Sequence, residues 1–186
     1  MSGFWIDDVG RGYPALHVIM EIDQPAPDFS LPDLNGKLHY LDEYRGRIVI
    51  LNFWSCQCPH SERTDKVMME MAAQWRQQVE ILLVAANRNE DSEAVRNVAE
   101  ARGLRTILLD ADRVVADLYQ AQTTPHVFVI DREGILRYRG AVDDVTFRQP
   151  LRSRFYLNEA VESLLMGSLP ALSESPAYGC TIVREI

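Results

Sequence analysis

Cysteine is scarce in this sequence. The chain of 186 residues holds three, Cys56, Cys58 and Cys180. That is too few, and too odd a number, for a disulfide framework. Basic charge is also short: 19 Lys and Arg face 27 Asp and Glu, for a net charge of -8. Duplex binding rests on a basic face, so nucleic acid is not expected as a partner. Lysine itself is nearly absent, two against 17 arginines, a skew to which we attach no function. No apolar run approaches the roughly 20 residues that cross a bilayer, and no membrane partner is expected. The N-terminus carries Asp7 and Asp8 where a signal peptide would place basic residues before a long apolar core, so it does not read as one. The expected location is cytoplasmic. Neither a collagen repeat nor a heptad repeat is present. With 47% hydrophobic and 25% charged residues, the composition is that of a folded globular protein.

At about 150 residues per domain, the length fits one domain with an appendage. The expected division is an N-terminal extension at 1–23, a core at 24–140 and a C-terminal helix and tail at 141–186. Asn35-Gly36 marks a turn, with a short hairpin around it. Arg47 to Trp54 is short, β-branched and apolar on both faces, as a central strand buried on both sides would be. Pro59 to Gln77 reads as a helix whose stripe is Val67, Met68, Met71, Ala72 and Trp75. A strand at 79–86, a helix at 91–102 ended by Gly103, a strand at 106–109 and a short helix at 113–120 capped by Asp110 or Asp112 follow. His126 to Ile130 and Ile135 to Tyr138 flank a turn of hairpin length. Leu157, Ala160, Val161, Leu164 and Leu165 form a last helical stripe. Strands that alternate with helices and end in an antiparallel hairpin predict an α/β fold with a central mixed sheet flanked by helices.

Cys58 stands where the strongest strand ends and a helix begins. Pro59 suits the first helical position, which makes Cys58 the N-cap. Its sulfur then faces free N–H groups and the positive end of the helix dipole, and both favour thiolate. An ordinary thiol, with a pKa of about 8.5, is only slightly ionised at neutral pH. Thiolate is the species that attacks disulfides and peroxides. His60, in the first helical turn, and His126 are two imidazoles that, if protonated, would stabilise it. Cys56, Cys58 and one of these histidines also contain enough soft ligands for zinc or copper(I), so a metal-binding reading stands beside the redox one.

Ala26-Pro27-Asp28-Phe29-Ser30-Leu31, Leu51-Asn52-Phe53-Trp54, Cys58-Pro59, Thr124-Pro125 and Val129-Ile130-Asp131 with Gly134 together resemble the thioredoxin-like redoxin superfamily. That group includes TlpA/ResA-type thiol-disulfide oxidoreductases and AhpC/TSA peroxiredoxins. The likeness covers about residues 24–140. The tail, with Tyr138-Arg139-Gly140, Asp143-Asp144 and Gly179-Cys180-x-Ile182, resembles a subgroup of peroxiredoxin-like redoxins. The resemblance implies a thioredoxin-like fold with Thr124-Pro125 as a cis peptide bond beside the active cysteine. It implies Cys58 as the attacking thiolate, disulfides or hydroperoxides as substrates, an external thiol reductant such as a thioredoxin, and no bound cofactor.

The departures are as informative. Cys58-Pro59-His60-Ser61 puts Ser61 in the resolving position of Cys-x-x-Cys, and a serine cannot close a disulfide. Ser55 lies where peroxiredoxins hold a hydroxyl on the thiolate. Leu51 replaces their proline, and Pro125 occupies the region of their arginine. Cys56 and Cys180 are the two thiols left to resolve an oxidised Cys58. The expected function is thiol-disulfide exchange. A peroxiredoxin-like peroxidase and a redox-inert or metal-binding module are the alternatives.

Overall fold

The computed structural model describes residues 20–184 and, ahead of them, two short paired strands, Phe4–Ile6 (β1) and Gly12–Pro14 (β2). The N-terminal extension expected at 1–23 falls largely outside the described residues. Ser30–Pro32 (β3) and Leu38–Tyr40 (β4) pair as the hairpin read from Asn35-Gly36. Gly36 takes a positive φ of 82° there, which a residue without Cβ adopts freely.

Ile48–Trp54 (β5) is buried at every position and forms the middle of a five-stranded sheet. On one side lie Val79–Ala85 (β6) and Ile107–Leu109 (β7), both parallel. On the other lies His126–Ile130 (β9), antiparallel to β5, and beyond it Leu136–Gly140 (β10), antiparallel to β9. Between β7 and β9 comes the two-residue strand Thr123–Thr124 (β8). The mixed α/β sheet is the one the sequence predicts.

Alternation along β5 divides the core. Val49, Leu51 and Phe53 join one buried cluster, Ile48, Ile50 and Trp54 the other. Pro59–Trp75 (α1), Ser92–Arg102 (α2) and Tyr156–Leu165 (α4) cover the second face. Val114–Leu118 (α3) and the N-terminal leg cover the first. Tyr119 ties that leg down by donating to the Pro27 carbonyl at 2.6 Å.

Capping follows the expectations closely. Asp91 accepts from Ala94 N–H, and Gly103 ends α2 in the left-handed region. Of Asp110 and Asp112, it is Asp110 that accepts from the N–H groups of Val115 and Ala116 at the start of α3. The α1 stripe is narrower than expected. Met68 and Trp75 are buried, whereas Val67, Met71 and Ala72 are only half-buried. Ser61, Thr64 and Asp65 fill the buried side of its first half. A cavity of about 710 Å³ between α1 and β6 leaves Met68, Met69 and Ala72 along its wall.

Candidate active site at Cys58

β5 delivers the chain to the carboxyl end of the sheet, where open α/β folds place their sites. The turn Ser55–Cys58 follows. Cys58 C=O accepts from Glu62 N–H at 3.1 Å, so Cys58 is the N-cap of α1 and Pro59 its first residue. The thiol is 2% exposed. Its Sγ lies 2.8 Å from Cys180 Sγ and, as a thiol, donates to the Thr124 carbonyl at 2.9 Å. Burial opposes the thiolate. Hydrogen bonds from the Cys180 thiol and from the Ser61 and Cys180 N–H groups outweigh it, and the Cys58 pKa falls below the ordinary thiol value. Burial first, then the hydrogen bond and charge at Cys58, push Cys180 up to about 11. The pair is therefore one thiolate-prone sulfur beside one that keeps its proton.

The tail brings Cys180 there. Thr124-Pro125 is a cis peptide bond, as the resemblance implies. On its amino side, β8 pairs antiparallel with Cys180–Thr181 (β11), Cys180 opposite Thr124. Gly179 allows the approach, because a Cβ there would lie 2.2 Å from the Thr124 carbonyl oxygen. Ile182 is buried in the core cluster on that face and donates its N–H to the Gln122 carbonyl. Val183 N–H donates to Asn87 Oδ1, and Arg184 donates to the Ala121 carbonyl and to Asp117. The tail is thus a docked strand with a side-chain anchor, and Cys180 is its half-exposed member.

The other expected residues fall differently. Cys56 is buried, and burial together with the Glu90 carboxylate pushes its thiol up to about 12. Ser55 turns its hydroxyl to Glu90 Oε1, 2.5 Å away, which also accepts from Gln57 N–H at 3.0 Å. The expected contact between the Ser55 hydroxyl and the Cys58 thiolate is therefore replaced by one to Glu90. His126 is buried in β9 against Phe128, and its Nδ1 accepts from Gln122 N–H. Burial, and then Arg139, lower its pKa to about 4. At neutral pH it is uncharged, which corrects its reading as an imidazolium that stabilises the thiolate. His60 is half-buried and meets the Tyr178 ring edge-on at 5.2 Å. Among the described residues, no three of the candidate metal ligands converge.

Three side chains at this site escape sequence reading. Glu90 braces the Ser55–Cys58 turn. It lies in the loop after β6, and a loop at the carboxyl end of a parallel strand is the one signal that could have found it. Asp65 accepts from Trp54 Nε1 at 3.0 Å and pairs with Arg102 at 2.9 Å. Arg102 also donates to the Cys56 carbonyl. The floor of the site is thus pinned from α1 and α2 together.

Comparison with known proteins places this geometry. The family model described as AhpC/TSA matches residues 22–139. It ends before the tail, so the likeness of Gly179-Cys180-x-Ile182 to a subgroup stands outside it. A thiol-disulfide oxidoreductase ResA of Geobacillus kaustophilus is 39% identical over 115 residues, 61% of this chain and 65% of that protein. The match therefore spans just under two thirds of that relative's length. A hypothetical protein of Sinorhizobium meliloti 1021, solved by crystallography, is 29% identical with a TM-score of 0.77, covering 87% of this chain and 93% of that one. The thioredoxin domain of a thiol-disulfide oxidoreductase from Bacteroides vulgatus shares the fold, with a TM-score of 0.58 at 20% identity over 70% of this chain and 92% of that one. On the strength of its sheet, its Cys58 N-cap and a family match over residues 22–139, the chain belongs to the AhpC/TSA family, on a thioredoxin-like fold.

Proposed function

We propose that this chain is a thiol-disulfide oxidoreductase in which Cys58 attacks and Cys180 resolves. The observation that carries the reading is the separation of 2.8 Å between the two sulfurs. A disulfide bond is about 2.05 Å long, so closure needs an approach of less than about 1 Å.

The chemistry balances on the chain's own groups. Cys58 thiolate attacks one sulfur of a substrate disulfide. A mixed disulfide forms, and the other substrate sulfur leaves as a thiolate that takes a proton. Cys180 then attacks Cys58 Sγ, the Cys58–Cys180 disulfide forms, and the second substrate thiol departs. Two electrons pass from the protein dithiol to the substrate, and an external thiol reductant returns them. The Cys58 charge is one of the causes that keep Cys180 protonated. Mixed-disulfide formation removes that charge, so Cys180 ionises more easily at the step that needs its thiolate. Cys56, held as a thiol beside Glu90, is the weaker resolving group. The same proposal places the chain in the cytosol, where so few cysteines stay reduced and an external thiol system recycles the pair.

Family membership supports one further oxidant, a hydroperoxide. Cys58 thiolate would attack its O–O bond to give a sulfenic acid and an alcohol or water. Cys180 would then condense with the sulfenic acid, releasing water. The Ser55 hydroxyl on Glu90 argues for the disulfide reaction as the main one.

A disulfide map tests both readings. Reduced protein receives one equivalent of a small disulfide or of hydrogen peroxide, then alkylation, digestion and mass spectrometry. A Cys58–Cys180 linkage formed faster from the disulfide supports the proposal, and a faster peroxide reaction supports the alternative. A Cys58 that stays free with both oxidants makes the fold a binding module instead.

A further inference from the structure

The loop from Asp144 to Phe155 does something unusual beside this site. Its base is closed: Asp144 accepts from Ser153 N–H at 2.9 Å and from Gln149 Nε2 at 2.6 Å. Thr146 and Gln149 exchange backbone hydrogen bonds. A bidentate pair between Arg63 and Asp143, both bonds 2.8 Å, fastens the start of the loop to α1. This ordered base turns two large apolar side chains outward. Phe147 is 91% exposed and Leu151 81% exposed. Single exposed hydrophobes are ordinary on protein surfaces. Two on one braced loop are not explained by folding, since neither buries anything.

The loop contacts the segments that carry both sulfurs. Phe147 N–H donates to the Tyr178 hydroxyl at 2.7 Å. Tyr178 packs against His60, two residues after Cys58, and itself lies two residues before Cys180. Arg148 and Arg152 alternate with the apolar pair. On a chain of net charge -8, this exposed stretch joins two arginines to two apolar side chains, and Arg152 lies over the Phe155 ring at 4.6 Å. Aromatic and arginine side chains are the groups that dominate binding energy in small interfaces. Cys58 itself is too buried to meet a macromolecule without a docked approach.

Resting on the oxidoreductase reading, we propose that the Phe147–Arg152 loop is the docking surface for the protein dithiol that reduces the Cys58–Cys180 disulfide. That partner presents an apolar hollow rimmed by carboxylates. Phe147 and Leu151 fill the hollow. Arg148 and Arg152 meet the carboxylates, setting orientation and offsetting the repulsion between two acidic proteins. Partner binding at Phe147 then bears directly on Tyr178 and so on the tail strand that carries Cys180.

The test uses oxidised full-length protein, an acidic bacterial thioredoxin with its reductase as the probe, and dithiothreitol as the small reductant. The variants are Phe147→Ser with Leu151→Ser, and Arg148→Glu with Arg152→Glu. With thioredoxin, kcat/KM falls by about tenfold or more in each double variant, the loss expected for removing interface anchors. Reduction by dithiothreitol is unchanged. In the charge-reversed variant, added salt no longer slows the reaction with thioredoxin. An unchanged thioredoxin rate in both variants overturns the proposal. So does a wild-type disulfide that dithiothreitol reduces and thioredoxin does not. A wild-type dimer in light scattering, or binding to anionic lipid vesicles, that the apolar double variant abolishes assigns the loop to another occupant and also overturns it. Failure of the underlying reading shows earlier and separately, as no Cys58–Cys180 disulfide to reduce.

Discussion

Cys58 and Cys180 are 122 positions apart in the chain and 2.8 Å apart at their sulfurs. A disulfide between them closes a loop of that length, and the chain-entropy estimate for such a loop is about 5 kcal/mol of stabilisation. Oxidised wild type is expected to unfold at higher urea than reduced wild type by about that amount. Cys180→Ser should show no redox dependence, and Cys56→Ser should keep it. Equal midpoints for oxidised and reduced wild type would show that the pair does not bond.

The three thiols should separate by pH. Cys58 is depressed, whereas Cys180 and Cys56 are raised to about 11 and 12. In reduced protein, alkylation at Cys58 is expected to persist below the ordinary thiol pKa, where a normal cysteine slows tenfold per unit. Cys56 should react only in strong alkali or after unfolding. Mass spectrometry of each labelled cysteine across the pH range reads this directly. A Cys58 profile centred at or above the ordinary value would contradict the N-cap argument.

His126 has a folded pKa of about 4 against an ordinary 6.5. Below pH 6.5 the unfolded chain takes up a proton that the folded chain refuses. This contribution to stability is therefore complete above pH 6.5 and is lost as pH falls towards 4, by roughly 3 kcal/mol. His126→Asn keeps an acceptor for Gln122 N–H and removes the titration. Its stability should fall less steeply between pH 6.5 and 4, measured by urea unfolding at each pH.

Gly179→Ala drives a methyl group against the Thr124 carbonyl. The tail strand should lift from β8, with two opposite consequences at one sulfur. Cys58 alkylates faster, because its cover is gone, and the Cys58–Cys180 disulfide forms more slowly. Slower alkylation together with slower closure would refute the role given to the tail.

Ser55→Ala should change the second-order rate of Cys58 with hydrogen peroxide by no more than a few-fold, since the Ser55 hydroxyl serves Glu90. Competition kinetics against a reference peroxidase measures it. A loss of a hundredfold would place Ser55 on the thiolate after all and favour the peroxidase reading.

The sheet was legible in sequence because Arg47 to Trp54 is apolar on both faces and only a central strand accepts that pattern. Gly103 and Asp110 were legible because each has a local duty at a helix end. Cys58 was legible because strand, cysteine and proline are adjacent. What escaped depends on distant partners. β11 has two residues and no periodicity, so nothing in Gly179–Ile182 announces its pairing with Thr123 and Thr124. The choice between Cys56 and Cys180 therefore stayed open. Asp65 gave no signal because its partner Arg102 lies 37 positions on. His126 looked titratable because burial is a property of the fold, not of the histidine.

The order of synthesis gives the docked tail a second meaning. Ribosomes add about 5–20 residues per second, so the 122 residues after Cys58 take roughly 6–24 s to appear. Through that interval no tail strand is available to cover Cys58. A nascent chain thus carries Cys58 before Cys180 and Ile182 have been made. On the proposed mechanism it lacks the Cys180 thiol that lets the partner go. On that mechanism a stalled or truncated chain differs chemically from the finished one: only Cys56, the weaker resolving thiol, is left to release a bound partner.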